Sequence, residues 1–464
     1  MFRPSLSIVA ASILCIAPPA IAAPDAATLT AKLDAYVAKD VPAAEVPGVA
    51  IAILRGGDVL VAKGYGLANV EHNVPVTPDT IFQLGSVGKM FTAAAVMTQV
   101  EQGKIRVDDP IVKFFPDAPA SWKDVTVHQL LTHTAGIPEF GQDFNFRSDY
   151  SDDELVKIIG SKPLTFAPGQ RWKYSNPGYE LLGFLVKKAT GRSYLDVLDA
   201  EVFKPLGMKS ARGISDADIV MHRSAGYKFA DGKLQNQDWV SPTMNSTADG
   251  SLYASLNDMI AWARGVEQGK VLSAASWKQV YTPIRLNSGK TYPYGYGWML
   301  GMAAGKPRLH HGGAWQGFRT YYSRYLGDNL SVIILANSGA ADVTKIADDV
   351  ARLYDPALSA PPPKPKPEPR VEKQLTDLLT KVGAGATRPE DFSLAGPEWP
   401  EVTTKYFTPM FKDAGALQKL ELTEREELGD DIVYSYDATY ANKKLKIRYG
   451  IGPGNGVSMF LVSP

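Results

Sequence analysis

The chain has 464 residues, 45% hydrophobic and 21% charged, with 49 Lys+Arg against 49 Asp+Glu. That is the composition of an ordinary globular protein, long enough for more than one domain. Its zero formal net charge directs it neither to nucleic acid nor to an anionic membrane surface. The first stretch, with Arg3, an apolar Ile8 to Ile16 and Ala20-Ile21-Ala22, reads as a secretory signal peptide over residues 1–22, cut near Ala22. The apolar run is too short to span a membrane. The only cysteine, Cys15, falls inside it. The mature chain is then expected to carry no disulfide, no thiol catalysis and no membrane span, and to be secreted or periplasmic in a bacterium.

Ala27 to Lys39 carries Leu29, Leu33, Tyr36 and Val37 at helical spacing. Val49 to Leu54 and Val59 to Ala62 flank Arg55-Gly56-Gly57-Asp58 and predict a hairpin. Ser86-Val87-Gly88-Lys89 follows the approach Ile81-Phe82-Gln83-Leu84-Gly85 and opens the apolar helix Met90 to Met97. Lys89 then lies one turn beyond Ser86 on the same face, an amine beside a hydroxyl. Thr126 to Pro138 predicts a short helix ending in a Gly/Pro loop, and Tyr179 to Thr190 a helix stopped by Gly191. Asn257 to Gln268 is a further helix; Arg308 to His311, Phe318 to Tyr325 and Leu330 to Ala336 are strands, before a helix from Asp342 to Tyr354. Strands at both ends around a helical middle imply one α+β domain, residues 24–358, with an antiparallel sheet built from both termini. Residues 359–370, with Pro361-Pro362-Pro363-Lys364-Pro365, form an extended linker. Residues 371–464 then place helices before the strands Leu417 to Leu422, Ile432 to Tyr440, Leu445 to Ile451 and Val457 to Val462. This is a small α+β module, analogous in that order to cystatin-like or NTF2-like folds.

A serine acting as acyl acceptor needs a base, an oxyanion hole and groups that hold substrate. Tyr174-Ser175-Asn176 lies in a loop entering a helix, whereas Tyr440-Ala441-Asn442 lies in the small module and reads as a strand-end turn. His310-His311-Gly312-Gly313-Ala314 is a strand against which a substrate backbone can lie. Alternation lets only one of the two histidines face a given side. The six histidines are scattered with no helical i, i+4 pair, so no metal site is expected; acyl transfer through a serine calls for no organic cofactor either.

The order Ser-x-x-Lys, Tyr-Ser-Asn, His-x-Gly resembles the serine β-lactamase and penicillin-binding-protein superfamily. It is most similar to the class C branch, which includes class C β-lactamases, certain DD-peptidases, D-aminopeptidases and related esterases. Phe82-x-x-Gly85-Ser86, Leu130 to Gly136, Gly250 to Ser255 and Gly317-Phe318 extend the resemblance over about Ala27 to Tyr354. The resemblance implies a β-lactamase/transpeptidase-like fold, an antiparallel sheet flanked by helices with an all-helical region. It implies Ser86 as nucleophile, Lys89 as the group easing its deprotonation, Tyr174 as base and Asn176 as the residue holding the substrate amide. The oxyanion hole would be the N–H groups of Ser86 and Ala314. His311, in the register His311-x-Gly313, would stand where many lactamases carry Lys; His310-x-Gly312 is the other register. A tyrosine base at neutral pH further implies a pKa depressed by Lys89. His133 is expected to be structural. The expected partner is a small molecule or peptide with an amide or ester bond, first a D-amino-acid substrate such as a D-Ala peptide. A promiscuous carboxylesterase, a weak class C-like β-lactamase and a non-catalytic penicillin-binding sensor are the alternatives.

Overall fold

A computed structural model describes residues 24–141, 143–359, 364–396 and 399–463. The expected signal peptide lies outside these residues, as do residues 360–363 of the linker. Helix α1 (Ala26–Asp40) starts where the Thr28 N–H donates to Asp25 Oδ1 at 2.9 Å, a cap that satisfies an otherwise unpaired helix donor. Strands β1 (Gly48–Arg55) and β2 (Asp58–Asn69) form the expected hairpin. Gly56 and Gly57 turn it at φ 55° and 85°, values that suit glycine. Beyond β3 (Val74–Pro75) come helix α2 (Gly88–Glu101), helix α3 (Asn176–Thr190) and four strands: β4 (Met299–Ala303), β5 (Lys306–Trp315), β6 (Phe318–Tyr325) and β7 (Leu330–Ala336). Helix α4 (Val343–Tyr354) follows.

The sheet order is β4-β5-β6-β7-β1-β2-β3, antiparallel throughout. Strands from the two ends of the domain therefore meet at β7 and β1. β1 is apolar on both faces because both are covered. Val49, Ile51 and Ile53 pack with Leu29 and Leu33 of α1 and Ile346 and Val350 of α4. Ala50, Ala52 and Leu54 belong to the larger core that holds α2 and α3. Helix α2 is buried from Gly88 to Gln99, as a helix apolar all round must be. Its Phe91, fully buried, packs on Phe203 and Trp262 at centroid distances of 5.8 and 4.3 Å. Burying one such side chain contributes about 1.5–3 kcal/mol and fixes the helix that carries Lys89.

After the linker, helix α5 (Pro369–Ala384) packs on a four-stranded meander of β8 (Leu417–Leu428), β9 (Asp431–Tyr440), β10 (Lys444–Ile451) and β11 (Val457–Ser463). Leu375, Leu379 and Val382 meet Tyr436, Ile447 and Phe460 in a core of its own. β8 continues past Leu422 through Thr423-Glu424-Arg425-Glu426-Glu427. That stretch has no apolar alternation; pairing with β9 across a register shift at Leu422/Glu424 makes it a strand. The analogy to cystatin-like or NTF2-like folds rests on the order of helices and strands alone. No helix among the described residues is long and apolar enough to cross a membrane.

Candidate active site

From Thr80 to Gln99 every residue is buried except Ser86, which is partly exposed. It sits in a single 3-10 turn, Gly85–Val87, that runs into α2. The approach Ile81–Gln83 is a short strand paired with Leu252–Ser255. Strand β5 crosses this turn at main-chain distance. A Cβ on Gly85, which has φ 53°, would lie 2.6 Å from the Ala314 nitrogen; one on Gly313 would lie 2.0 Å from the Leu84 carbonyl oxygen. Only glycine at both positions lets the strand lie this close. The Ala314 backbone is thereby brought alongside Gly85 and Ser86. The sequence marks a strand over Arg308 to His311 and reads Gly312 to Ala314 as its continuation beside the substrate. The observed strand continues to Trp315, paired with β6 through Trp315 and Phe318.

Lys89 is the one charged residue in the buried part of α2 and has no exposed surface. Its Nζ donates to Ser86 Oγ at 3.1 Å, to Asn176 Oδ1 at 2.8 Å and to the Asp249 carbonyl oxygen. Three acceptors match the three donors of an ammonium group. The same Nζ is 4.9 Å from the Tyr174 ring centroid and 5.4 Å from that of Tyr179, within cation–π range. Here one expectation is corrected. Burial raises the Tyr174 pKa above its ordinary value, and the pull of Lys89 and of hydrogen bonding with Lys89 and Ser86 does not cancel it. The resting hydroxyl is a neutral phenol, since desolvation penalises the phenolate more than one cation stabilises it.

Asn176 is the first residue of α3, which starts three residues earlier than the apolar pattern implied. Ser175 caps it by accepting the Gly178 N–H at 3.1 Å, with Pro177 inside the first turn. The Asn176 amide is oriented from both sides. Its Oδ1 accepts from Lys89, and its Nδ2 and main-chain N–H donate to Glu139 Oε2 at 2.9 Å and Oε1 at 3.0 Å. Glu139 lies on an exposed loop, yet its carboxyl is turned inward, and its desolvation there pushes the pKa up to about 7.

Alternation along β5 sends its two histidines to opposite faces. His310 meets Tyr321, Nδ1 to hydroxyl 2.9 Å, on the side away from Ser86. His311 faces the cleft, with its ring 6.2 Å from Tyr174. The hydrogen-bond partners assign its tautomer. His133 Nδ1 accepts the Ser175 N–H at 3.1 Å, so in a neutral ring its Nε2 donates to the Tyr294 hydroxyl at 3.2 Å. Tyr294 then donates to His311 Nε2 at 3.1 Å, and His311 Nδ1 donates to the Gly312 carbonyl at 2.7 Å. Burial holds His311 near 4 and His133 well below the usual range, so both are neutral at pH 7. His133, at φ 57° and buried among Trp172, Tyr174, Tyr179 and Tyr294, braces the site from behind.

The structure therefore brings Ser86, Lys89, Tyr174, Asn176, His311, Gly313 and Ala314 together. Tyr440 is in the other module, where it packs on Phe411 at 5.5 Å. Sequence reasoning missed Glu139, Asp249 and Tyr294. Glu139 follows the Thr134 to Pro138 loop without a motif, Asp249 acts through its carbonyl, and Tyr294 is one of 21 tyrosines. A separate cleft of about 770 Å³, lined by Asp79, Lys209, Arg212, His222 and Asp258 among others, contains none of the seven.

A family model described as Beta-lactamase matches residues 31–374. Penicillin-binding protein 4* of Bacillus subtilis is 29% identical over 301 residues, 61% of this chain and 66% of its own length. D-aminopeptidase of Gluconobacter oxydans is 29% identical over 370 residues, 75% of this chain and 67% of its own. The chain thus spans about two thirds of the length of the curated relatives it matches. Among solved structures, the octameric penicillin-binding protein homologue from Pyrococcus abyssi superposes with a TM-score of 0.62 at 24% identity. The superposition covers 93% of this chain and 95% of that one, so the likeness in fold extends past the linker.

Proposed function

The chain belongs to the Beta-lactamase family, and on that premise we propose that it is a serine hydrolase cutting amide or ester bonds through an acyl-enzyme on Ser86. The observation that carries this is the Lys89 ammonium, buried and held between Ser86 Oγ and Asn176 Oδ1 beside the Tyr174 ring. Ser86 Oγ attacks the substrate carbonyl while its proton passes to the Tyr174 oxygen in its ionised form. That form is scarce at neutral pH, and Lys89 stabilises it as it arises. The carbonyl oxygen becomes an oxyanion facing the Ser86 N–H at the start of a helix, where the backbone dipoles favour negative charge, and the Ala314 N–H on β5. Collapse forms the Ser86 ester and expels the amine or alcohol, which takes the proton from Tyr174. Water then repeats the sequence and frees the acid. Asn176, fixed by Lys89 and Glu139, holds the substrate amide.

The D-amino-acid substrate class is supported by a relative named D-aminopeptidase. The form of the substrate is narrowed by His311, whose two ring nitrogens are engaged by Tyr294 and Gly312. It offers a substrate carboxylate neither charge nor a free donor, so uncharged amides and esters suit the site better than substrates read through a free carboxylate. We also propose export through residues 1–22, with a catalytic domain at 24–358, a linker at 359–370 and an accessory module at 371–464. The test is to treat the mature protein with a fluorophosphonate or a fluorescent penicillin and map the adduct by mass spectrometry. An adduct on Ser86 that disappears in Ser86→Ala supports the reading, and no labelling of the folded protein refutes it. Turnover of D-Ala amides, D-Ala-D-Ala peptides, p-nitrophenyl esters and nitrocefin then ranks amidase, carboxypeptidase, esterase and lactamase.

A further inference from the structure

Tyr174 hangs on an extended segment, Gln170 to Ser175, that leads into α3. Its far end is tied to the domain through His133, whose carbonyl accepts the Lys173 N–H at 3.0 Å and whose ring accepts the Ser175 N–H. Its near end is tied by the Gly169 N–H to the Thr134 carbonyl at 2.8 Å. Between them, the main chain of Arg171 and Trp172 makes no hydrogen bond among the described residues. Side chains alone hold these two residues, and both ties lead to the C-terminal module.

The first tie is ionic. Arg171 Nη2 donates to both oxygens of Asp431, at 2.9 and 2.8 Å. Asp431 is the first residue of β9. The two side chains are only 19% and 23% exposed, which distinguishes this pair from the surface ion pairs of the chain. The second tie is a stack. The Trp172 indole lies on the Tyr292 ring at 4.2 Å and 10°. Tyr292 stands beside Thr291, whose carbonyl accepts the Gly429 N–H at 3.0 Å from the turn before β9. The fit around both ties is close. A Cβ on Gly429, which has φ 66°, would lie 2.6 Å from Leu286 Cδ1, and one on Gly452 would lie 2.5 Å from Asp431 Oδ1.

We infer that the C-terminal module is a working part of the active centre and that Asp431 is a positioning residue, holding Arg171 so that Tyr174 stays at Ser86 and Lys89. This rests on the acyl-enzyme reading for its catalytic consequence, and on the structure alone for the coupling. A partly buried, bidentate, charge-assisted contact is strong enough to bias Arg171 and Trp172, whose main chain makes no hydrogen bond among the described residues, and through them the lead-in to Tyr174. A stabilising appendage would change the melting temperature and leave kcat alone. A positioning contact changes kcat, because the proton acceptor is displaced, and leaves KM nearly alone.

The experiment uses the full chain and three variants: Asp431→Ala, Arg171→Ala, and the exchanged pair Arg171→Asp/Asp431→Arg. Ser86 acylation by fluorophosphonate, kcat and KM on a p-nitrophenyl ester, and amide hydrogen exchange of residues 171–175 are read together at 25 °C, with circular dichroism verifying the fold. Each single variant is expected to lower kcat about tenfold with KM changed less than about twofold, and to speed exchange in 171–175 about tenfold. The exchanged pair is expected to recover part of both effects. Single variants with wild-type exchange in 171–175, or faster exchange with unchanged kcat and acylation, overturn the inference. If the wild-type chain is never acylated, the acyl-enzyme reading fails by itself. The exchange data then still decide the coupling: unchanged exchange overturns it, and a rise confined to 171–175 upholds it.

Discussion

Glu139→Gln isolates the group that orients Asn176. An ionised carboxylate only accepts hydrogen bonds, and Glu139 takes two from Asn176, one from the main chain and one from the amide. Gln can put its oxygen on only one of these donors. The main-chain N–H cannot rotate away, so Gln Oε1 must serve it, and Gln Nε2 then faces Asn176 Nδ2. The clash is relieved by turning the Asn176 amide, which aims Nδ2 at the Lys89 ammonium where Oδ1 had stood at 2.8 Å. Losing a hydrogen bond to a charged group costs about 1.5–3 kcal/mol, which is about 10- to 100-fold in kcat/KM if the loss falls on the transition state. The pH dependence sharpens the test. With its pKa near 7, Glu139 is mostly carboxylate at pH 8 and mostly protonated at pH 6. The wild type therefore loses this advantage as pH falls through 7. Measured with a p-nitrophenyl ester, the ratio of wild-type to variant kcat/KM is expected to be largest at pH 8 and to shrink toward one at pH 6. A variant within about twofold of wild type at pH 8, or a ratio constant from pH 6 to 8, would refute the reasoning.

Removal of the Tyr174 hydroxyl in Tyr174→Phe is expected to lower kcat about 10²- to 10⁴-fold, whereas Tyr440→Phe should stay within about twofold; equal losses would contradict the assignment. Because burial raises the Tyr174 pKa, wild-type kcat/KM should climb with pH through 9, and a plateau beginning below pH 8 would exclude an ionised Tyr174 as base. Gly313→Ala puts a methyl 2.0 Å from the Leu84 carbonyl oxygen; it is expected to lower stability by about 1–3 kcal/mol in urea unfolding and to reduce Ser86 acylation more than its unfolded fraction accounts for. His310 titrates near 3 in the fold against an ordinary value of 6.5, so the unfolded chain binds the extra proton and stability is lost as pH falls below 6.5. At pH 5 the loss from this residue is about 2 kcal/mol, and His310→Asn should narrow the difference in unfolding free energy between pH 7 and pH 5 by about that amount.

Much of the architecture could be read from local pattern. Apolar runs identified β1 and α2, and the turn glycines 56 and 57 and the stop at Gly191 placed boundaries. Readings failed where a neighbour decides conformation. Thr423 to Glu427, beyond the expected end at Leu422, is strand because β9 pairs with it. The expected depression of the Tyr174 pKa failed for a related reason. A sequence names the cation beside a phenol but not how much water both have lost, and here desolvation outweighs charge.

Ser86 and Lys89 belong together by sequence alone, since residues three apart on a helix start share a face. That spacing determines a nucleophile with a cation at its side. Everything that makes the pair a site comes from chain segments far apart. Tyr174 and Asn176 arrive with α3, Ala314 arrives on a strand that two glycines let in, and Glu139 arrives on a loop with no motif. The choice between His310 and His311 depends on which face of β5 meets the cleft, and the anchoring of the Tyr174 segment depends on Asp431 in another module. Local backbone geometry reaches only a few residues; the distances that tune a proton transfer are set by packing, which no single stretch of sequence contains.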